Sequence, residues 1–345
     1  MRRFFCNGLV GLLCVGLFTT VLLTGCDRKK NTEHTGSMFA MDTYMTFTVY
    51  GENGEESIAM AKQEIQRLDR MLSTGDENSE VSMLNRDGEG VLSKDLEVLW
   101  ENSLKLYEMT DGSFDVTIYP VMRAWGFAGD NFRVPGEQEL RELLERVDSS
   151  RVSRNEEKDM LMLPMGAELD FGGIAKGYAG DRLKELLVQQ NVESALLDLG
   201  GNIQLVGSKP DGSDFKIGIK DPEKENQNLG VLSISDVAIV TSGGYERYFE
   251  EKGVRYHHII DPATGMPADN GLKSVTIVCE NGMMADGYST ALYVLGKEKA
   301  IRFWKEHKDS FEAVLLADDG TLYVTEGLKN CFTSKQKVTI LSAVP

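Results

Sequence analysis

The chain has 345 residues, of which 41% are hydrophobic and 26% are charged, and its formal net charge at pH 7 is -17. This composition is typical of a globular protein with one large domain or two. So acidic a surface repels the phosphates of DNA and RNA, which excludes nucleic-acid binding as the main function. An acidic protein that handles a phosphorylated ligand also needs a local source of positive charge, such as a metal ion.

The N-terminus has the pattern of an export signal. Two arginines at positions 2 and 3 precede an apolar run over residues 4–23 that carries no charge. The run ends in LLTGC, which resembles the lipobox of bacterial lipoproteins. That resemblance implies a signal peptide over residues 1–25, a lipid on Cys26, and a lipid-anchored protein on the extracytoplasmic face of the cell membrane. An uncleaved anchor is the alternative, because about 20 apolar residues can span a bilayer.

Two cysteines, Cys279 and Cys331, remain beyond the signal segment and Cys26. In an exported protein they could form a disulfide. Each also lies in an apolar context, where a buried thiol is equally common. The sequence leaves both possibilities open.

The first half of the chain alternates helices with irregular segments. Residues 26–37 are polar and predict a flexible membrane tether, and the alternating pattern of 38–50 predicts a strand. Apolar spacing predicts helices over 55–72, from a cap at Ser93 to the turn at Asp111, and over 137–147. The polar residues 73–85 are expected to form a loop, and 114–127 an extended segment that breaks into a short helix or turn.

The second half is richer in strands. A hairpin is predicted over 159–171, and helices over 175–190, 284–295 and 297–307. Strands are predicted over 194–199, 203–207, 215–220, 230–234, 237–241, 273–279, 313–317, 321–325 and 337–342. No repeat or change of composition divides the chain, so we predict one α+β domain over 38–345, with mixed β-sheets covered by helices.

The sequence DFGGIAKGYAGD at 170–181 is the first of five clusters that can carry chemistry. It reads as a strand end, a Gly-Gly turn and a helix start, where backbone N–H groups can face an anion. Lys176 adds a positive charge. Many α/β proteins use such turns for packing alone, which is the alternative interpretation.

Two further glycine pairs follow strands, in LLDLGGN at 196–202 and TSGGYER at 241–247. Hydroxyl groups and glycines after a strand suit contact with a phosphate or nucleotide. A tight turn between strands or a strand-to-helix cap explains them equally well.

The fourth cluster, HHIIDPATGMP at 257–267, holds two of the four histidines of the chain. Adjacent residues on a strand point to opposite faces, so at most one of this pair should face a given site, and a zinc centre is not expected. The DPATG sequence predicts a rigid turn.

The fifth cluster is MADGYSTAL at 284–292. On a helix, Asp286, Ser289 and Thr290 lie at i, i+3 and i+4 and share one face. A carboxylate with hydroxyl oxygens suits Mg²⁺, which keeps water and phosphate ligands. The alternative is an aspartate that caps the helix with neighbouring hydroxyls.

Taken in this order, the five clusters resemble the ApbE family of flavin transferases. The MDT sequence at 41–43 and the segments 73–85 and 114–127 match as well, so the resemblance covers nearly all of the mature chain. It implies an enzyme that uses Mg²⁺ to transfer FMN from FAD to a Thr or Ser hydroxyl of an acceptor protein, forming a phosphoester and releasing AMP. The implied acceptors are subunits of membrane redox complexes of the Rnf and Nqr type, or other exported flavoproteins.

Two other functions stay open beside this one. A metal-dependent FAD pyrophosphatase would use water as the acceptor and give FMN and AMP. A flavin-binding lipoprotein without catalysis would need neither a base nor a metal.

The resemblance also implies roles for single residues. His258 is implied as the base and Asp286 as a catalytic metal ligand. Mg²⁺ is implied to bind Gly173, Asp286, Ser289 and Thr290. The implied FAD contacts are Met41, Trp125, Gly126, Phe127, Asp170, Lys176 and Ile260. In one departure, Gly75 stands where many members carry a tyrosine, so Trp125 or Tyr245 is expected to supply the missing aromatic partner of FAD.

Overall fold

The computed structural model describes residues 32–129, 131–224 and 226–343. The predicted signal peptide, the lipid site at Cys26 and the first half of the predicted tether lie outside these residues. None of the helices within the described ranges is long and apolar enough to cross a membrane.

The described residues form seven α-helices and seventeen β-strands. The helices are α1 (Gly54–Leu72), α2 (Glu80–Asp87), α3 (Lys94–Met109), α4 (Tyr119–Trp125), α5 (Glu137–Leu144), α6 (Ala175–Gln189) and α7 (Gly282–Glu306). The strands are β1 (Glu33–Ala40), β2 (Thr43–Tyr50), β3 (Glu89–Gly90), β4 (Ser153–Asn155), β5 (Met160–Met162), β6 (Ser194–Asp198), β7 (Asn202–Val206), β8 (Phe215–Lys220), β9 (Asn228–Ile234), β10 (Ala238–Gly243), β11 (Tyr248–Glu251), β12 (Val254–His257), β13 (Leu272–Cys279), β14 (Glu312–Ala317), β15 (Leu322–Thr325), β16 (Phe332–Thr333) and β17 (Val338–Leu341).

A nine-stranded sheet is the centre of the fold. Its strand order is β1-β2-β6-β7-β10-β13-β14-β15-β17, and neighbours are antiparallel except β15 and β17. The other described strands form three small sheets, β16-β9-β8, β3-β5-β4 and β11-β12. This arrangement confirms the predicted α+β class with a strand-rich second half.

The central sheet is buried on both faces, because successive side chains point to opposite sides. Ile277 and Leu315 belong to the core beneath α1, α6 and α7. Their neighbours Val278 and Leu316 belong to a second core that includes side chains of β8 and β9. The sheet therefore holds the helices in fixed positions on one side, and these helices carry part of the candidate site.

A smaller apolar cluster lies apart from the main core. It joins α4 and α5 to the hairpin of β11 and β12 and contains Val121, Trp125, Phe127, Leu140 and Ile260, with Phe249 and Tyr256 packed against it. The hairpin has few other supports, so this cluster sets its position.

The long amphipathic helices agree closely with the sequence prediction. The cap at Ser93 is confirmed, since its hydroxyl accepts a hydrogen bond from the Leu96 amide at 3.3 Å. The two helices predicted over 284–295 and 297–307 are confirmed as the two parts of α7, which meet at Gly296, where the backbone is not helical (φ 75°, ψ 172°).

The predicted tether is too long by five residues. Strand β1 begins at Glu33 and pairs with β2 along its whole length, so 33–37 belong to the sheet. The polar side chains misled the prediction, because β1 is an edge strand and only alternate residues pack inward. The single strand predicted over 38–50 is likewise a hairpin, which turns at Met41 and Asp42, both with positive φ.

Two irregular segments were also predicted wrongly. The expected loop over 73–85 contains α2, which Ser79 caps and which buries Val81 and Leu84. The expected hairpin over 159–171 contains only β5, which pairs with β3 and β4 rather than with the residues that follow. Short elements leave too few periodic positions to be distinguished from loops.

The disulfide left open by the sequence does not form. Cys279 is buried in the core beneath the helices and Cys331 in the second core. Burial raises the pKa of the Cys279 thiol to about 11.

Candidate functional site

The site lies where α6 crosses the start of α7. A Cβ atom on Gly177 would lie 2.1 Å from the carbonyl oxygen of Gly282, so only glycine allows this approach. The approach lets the Gly177 amide donate a 2.8 Å hydrogen bond to Oδ2 of Asp286, a residue 109 positions away in the sequence. The first and fifth sequence clusters therefore meet at this crossing.

Asp286 is buried in this crossing, with 5% of its surface exposed. Burial raises the pKa of its carboxyl group, while the Lys176 charge and backbone N–H groups oppose the shift. The cap of α7 is Asn281, whose side chain accepts from the Met284 amide at 2.8 Å. The capping interpretation of Asp286 is therefore wrong.

Hydroxyl groups surround the next turn of α7. The Ser289 hydroxyl is fully buried and donates to the carbonyl oxygen of Asp286 at 2.8 Å. Oγ of Ser242, at the end of β10, lies 2.8 Å from Oγ of Ser289 and 3.5 Å from Oγ1 of Thr290. A Cβ on Gly173 would lie 3.8 Å from the Thr290 methyl group. The four residues predicted to bind the metal thus lie close together, and Thr290 is more exposed than Ser289.

This donor set fits magnesium better than zinc. Within the part of the chain that the structure describes, no group of three or more His, Cys, Asp or Glu residues could hold a metal ion. Structural and catalytic zinc need three or four such ligands. Magnesium accepts one carboxylate and hydroxyl or carbonyl oxygens, and takes the rest from water and substrate phosphates.

His258 belongs to the same site as Asp286, because the charge of Lys176 acts on both, and the region around Lys176 that these residues share is here called the cleft. Its amide and its Nδ1 each lie 3.1 Å from the carbonyl oxygen of Arg247. A carbonyl only accepts, so Nδ1 carries the proton and Nε2 keeps a free lone pair. Burial, with the Lys176 charge, lowers the pKa of His258 to about 4. The imidazole is therefore neutral at pH 7 and able to accept a proton.

His257 has a structural environment. Its Nε2 lies 3.0 Å from the carbonyl oxygen of Ala268, and its Nδ1 accepts from the Ile259 amide at 3.2 Å. The ring packs edge-on against Tyr293. The prediction that the two histidines face different surroundings is confirmed.

Lys176 lies within electrostatic range of three titratable groups of the site. Its charge lowers the pKa of His258 and opposes the rise in the pKa values of Asp170 and Asp286 that burial causes. Oδ1 of Asp170 accepts a 2.8 Å hydrogen bond from the Gly172 amide, while burial raises its pKa. The first sequence cluster therefore contributes one cation and one carboxylate to the site.

The predicted FAD contacts divide into two groups. Met41 lies in the β1–β2 turn, where its amide donates to Oδ1 of Asp69 at 3.0 Å. The turn is near the cleft, because the charge of Asp42 acts on Asp170. Phe127 packs edge-on against His258, at 6.4 Å between ring centres, and Ile260 is buried in the same small cluster.

Trp125 needs a correction. Its ring is fully buried, and its N–H group donates to the carbonyl oxygen of Gly265 at 2.7 Å. The ring packs against Tyr256 and has no free surface for a flavin, so it cannot replace the missing tyrosine in this conformation. Gly126 ends α4 at φ 88°, where a Cβ would lie 2.3 Å from the Asn131 carbonyl oxygen. Trp125 therefore supports the hairpin, and Gly126 allows the close approach of residues 131 and 132.

Two positions bear on the missing aromatic partner of FAD, Tyr245 and Gly75. Tyr245 is half-buried, and the Lys220 ammonium group lies 5.7 Å from its ring centre. Gly75 is exposed, and a Cβ there would meet only Oγ of Ser73, at 3.8 Å. A Cβ atom can therefore be added at position 75 without a clash.

Sequence reasoning missed three residues of the site. Ser242 completes the hydroxyl cluster, and Arg247 holds His258. The carboxylate of Asp181 accepts from the amides of Gly282 and Met283 at 2.7 and 2.8 Å, which fixes the start of α7. All three lie inside the glycine-rich clusters, but no local spacing indicates that they face the same cleft.

Comparison with known proteins gives a consistent result. A model of the ApbE family matches residues 41–315. The FAD:protein FMN transferase of Treponema pallidum is 31% identical, over 87% of this chain and 89% of its own length. That of Vibrio cholerae is 32% identical, over 89% of this chain and 94% of its own length.

Two solved structures have the same fold. The ApbE protein of Thermotoga maritima is 31% identical, with a TM-score of 0.82 over 87% of this chain and 99% of that protein. The flavinyl transferase ApbE of Pseudomonas stutzeri is 27% identical, with a TM-score of 0.78 over 88% of this chain and 98% of that protein.

Proposed function

Because the chain belongs to the ApbE family, we propose that it is an FAD:protein FMN transferase that uses Mg²⁺ and a Thr or Ser hydroxyl of its acceptor. The observation that supports this best is that one lysine lies within electrostatic range of two different reactive groups. The Lys176 charge acts on His258, a neutral histidine with a free Nε2, and on Asp286, a buried carboxylate beside the hydroxyls of Ser289 and Thr290. Phosphoryl transfer to an alcohol requires a proton acceptor and stabilisation of the phosphate charge.

In the proposed reaction the acceptor hydroxyl oxygen attacks the phosphorus atom of the FMN half of FAD. A new P–O bond forms, the P–O–P bridge breaks, and AMP leaves with the bridging oxygen. Nε2 of His258 takes the hydroxyl proton, since Nδ1–H is already held by the Arg247 carbonyl. No change of oxidation state is involved.

Asp286, Thr290 and the backbone oxygen of Gly173 are proposed to hold Mg²⁺, which would neutralise the diphosphate when bound. Ser289 and Ser242 would keep the Thr290 hydroxyl oriented. Lys176 adds a fixed positive charge beside the same site. Met41, Asp170 and the segment around Phe127 are proposed to line the flavin side of the cleft.

The proposed location follows from the sequence. With a lipid on Cys26, the enzyme would lie on the outer face of the membrane, beside acceptors such as subunits of Rnf- or Nqr-type complexes or other exported flavoproteins. The chain connecting Cys26 to β1 is only six residues long, so the domain would stay near the membrane surface.

The test uses the chain from Asp27 onward with FAD, MgCl₂ and a purified acceptor domain, and measures the acceptor mass. We expect an added FMN on one Thr or Ser, and no addition when EDTA is present. Free FMN and AMP without a labelled acceptor would instead indicate FAD hydrolysis. FAD binding without AMP release would indicate a flavin-binding protein.

A further inference from the structure

Arg247 contacts the proposed base, His258, through its backbone. Its carbonyl oxygen accepts from both the amide and Nδ1 of His258. Its guanidinium group lies within electrostatic range of His258 and of Asp170, because its charge lowers the pKa of His258 and opposes the rise in the pKa of Asp170 caused by burial.

The guanidinium group has no close protein partner. Arg123 forms a bidentate pair with Glu168 at 2.7 Å, and Arg255, on the same hairpin, pairs with Glu250 at 3.3 Å. For Arg247, no ion pair within 4 Å and no donated hydrogen bond to another described residue is present, although Asp170 lies within electrostatic range. Its side chain is half-buried, so it loses water without gaining a direct partner.

Lys176 shares this property and lies within range of the same two groups. The chain as a whole carries a charge of -17, so two half-buried cations without ion pairs at one site are not a general feature of its surface. A planar guanidinium and an ammonium group that act on the same site together suit the oxygens of a phosphate or diphosphate.

We propose that the Arg247 side chain binds the diphosphate of FAD together with Lys176, while its carbonyl orients His258. Arg247 would then bind the diphosphate through its side chain and orient the base through its carbonyl oxygen. This would fix the position of His258 relative to the P–O bond that breaks. This inference rests on the proposed function, since it names the part of FAD that the cleft holds by charge.

The test compares Arg247→Gln, Arg247→Lys and the matched control Arg255→Gln, each a change of one arginine on the same hairpin. All three keep the backbone carbonyl at position 247 and hence the His258 contact. The readouts are the Kd for FAD and the inhibition constant of inorganic pyrophosphate. Thermal unfolding checks that each variant is folded.

We expect Arg247→Gln to raise both constants about tenfold to hundredfold, as for loss of a charge-assisted hydrogen bond. Arg247→Lys should recover part of this loss, and Arg255→Gln should leave both constants within about twofold of the unchanged protein. A folded Arg247→Gln variant that binds FAD and pyrophosphate normally would overturn the inference.

These results separate the two proposals. If the unchanged protein binds FAD through Arg247 but transfers no FMN, the inference stands and the proposed function is wrong. If FMN transfer occurs and Arg247→Gln binds normally, the proposed function stands and the inference is wrong. Failure of the unchanged protein to bind FAD or pyrophosphate contradicts both.

Discussion

The two sides of the cleft are built differently. On one side, Asp286 is fixed by a close crossing of two long helices, and Asp181 holds the start of the second helix with two further bonds. On the other side, His258 follows a two-stranded hairpin and depends on a single carbonyl oxygen. An isolated two-stranded sheet is marginally stable, so this hairpin relies on the aromatic cluster beneath it.

The difference matches the chemistry proposed for each side. A metal and a diphosphate need ligands held to within a fraction of an ångström, which core packing provides. A protein acceptor needs access, and half-buried elements with few supports open more readily than a helical core. We therefore expect a change that separates the crossing helices to affect both the reaction and the fold, and a change to His258 to affect mainly the reaction.

The largest effect is expected from Asp286→Asn. The amide can still accept the Gly177 hydrogen bond, and loss of a buried charge should leave stability within about 1 kcal/mol. Loss of the proposed metal ligand should lower the FMN transfer rate by at least about a hundredfold. Steady-state transfer rates and urea unfolding measure both quantities. Asp309→Asn, at an exposed position, is the control, and equal transfer rates in the two variants would contradict the role of Asp286.

His258→Ala is expected to lower the transfer rate by about 10²–10⁴. FAD binding should change less than about threefold, because the ring is assigned to the proton and not to the phosphates. His257→Gln is the comparison, and it should reduce stability more than rate, since His257 bonds only to the backbone. If FAD affinity falls as far as the rate in His258→Ala, the base assignment is wrong.

Gly177→Ala tests the helix crossing. The added methyl group would lie 2.1 Å from a carbonyl oxygen, so the helices must separate. We expect a loss of about 1–3 kcal/mol in the free energy of unfolding, together with a lower transfer rate. Gly75→Ala, where a Cβ has open space, should change stability by less than about 0.5 kcal/mol. Unchanged stability in Gly177→Ala would show that the crossing is not tightly packed.

The pH dependence of kcat/KM should reflect the protonation of His258, on the hairpin side of the site. The pKa of His258 is lowered to about 4, so the neutral base persists well below the ordinary histidine value of about 6.5. We expect kcat/KM to stay level down to about pH 5 and to fall toward pH 4. Because the unfolded chain binds this proton more readily, the contribution of His258 to stability is lost as the pH falls from about 6.5 to 4. An inflection of kcat/KM near pH 6.5 that disappears in His258→Ala would contradict the assignment.

The smallest effect is expected from Gly75→Tyr, which restores the aromatic residue that many family members carry. Stacking contributes about 0.5–1.5 kcal/mol, so the Kd for FAD should fall about twofold to tenfold. Gly136→Tyr, at another exposed position with open space, should leave the Kd unchanged. An unchanged Kd in Gly75→Tyr would show that FAD does not reach this loop.

Periodic residues made most of the fold predictable. The long helices and the strands of the second half have enough alternation or apolar spacing to be located from sequence. Strand β1 and helix α2 do not, because an exposed edge strand and a two-turn helix contain mostly polar residues.

The sequence clusters that form the site could be predicted, but the way in which their residues are arranged in space could not. Asp286 and Thr290 share a helix face, which spacing alone indicates. The bond from Gly177 to Asp286 spans 109 residues, and no local pattern encodes it. Trp125 stands in a matching motif, yet burial makes it a support for the hairpin. Motifs locate the residues near a ligand, and only packing shows which of them face it.

The central claim is that the two sides of the cleft together transfer FMN to a protein and not to water. The most direct measurement counts AMP released against FMN attached to the acceptor, with FAD and Mg²⁺ in excess. We predict a ratio near one for the unchanged protein, with AMP release and attachment falling together in His258→Ala. AMP release that continues while FMN stays free in solution would contradict the account.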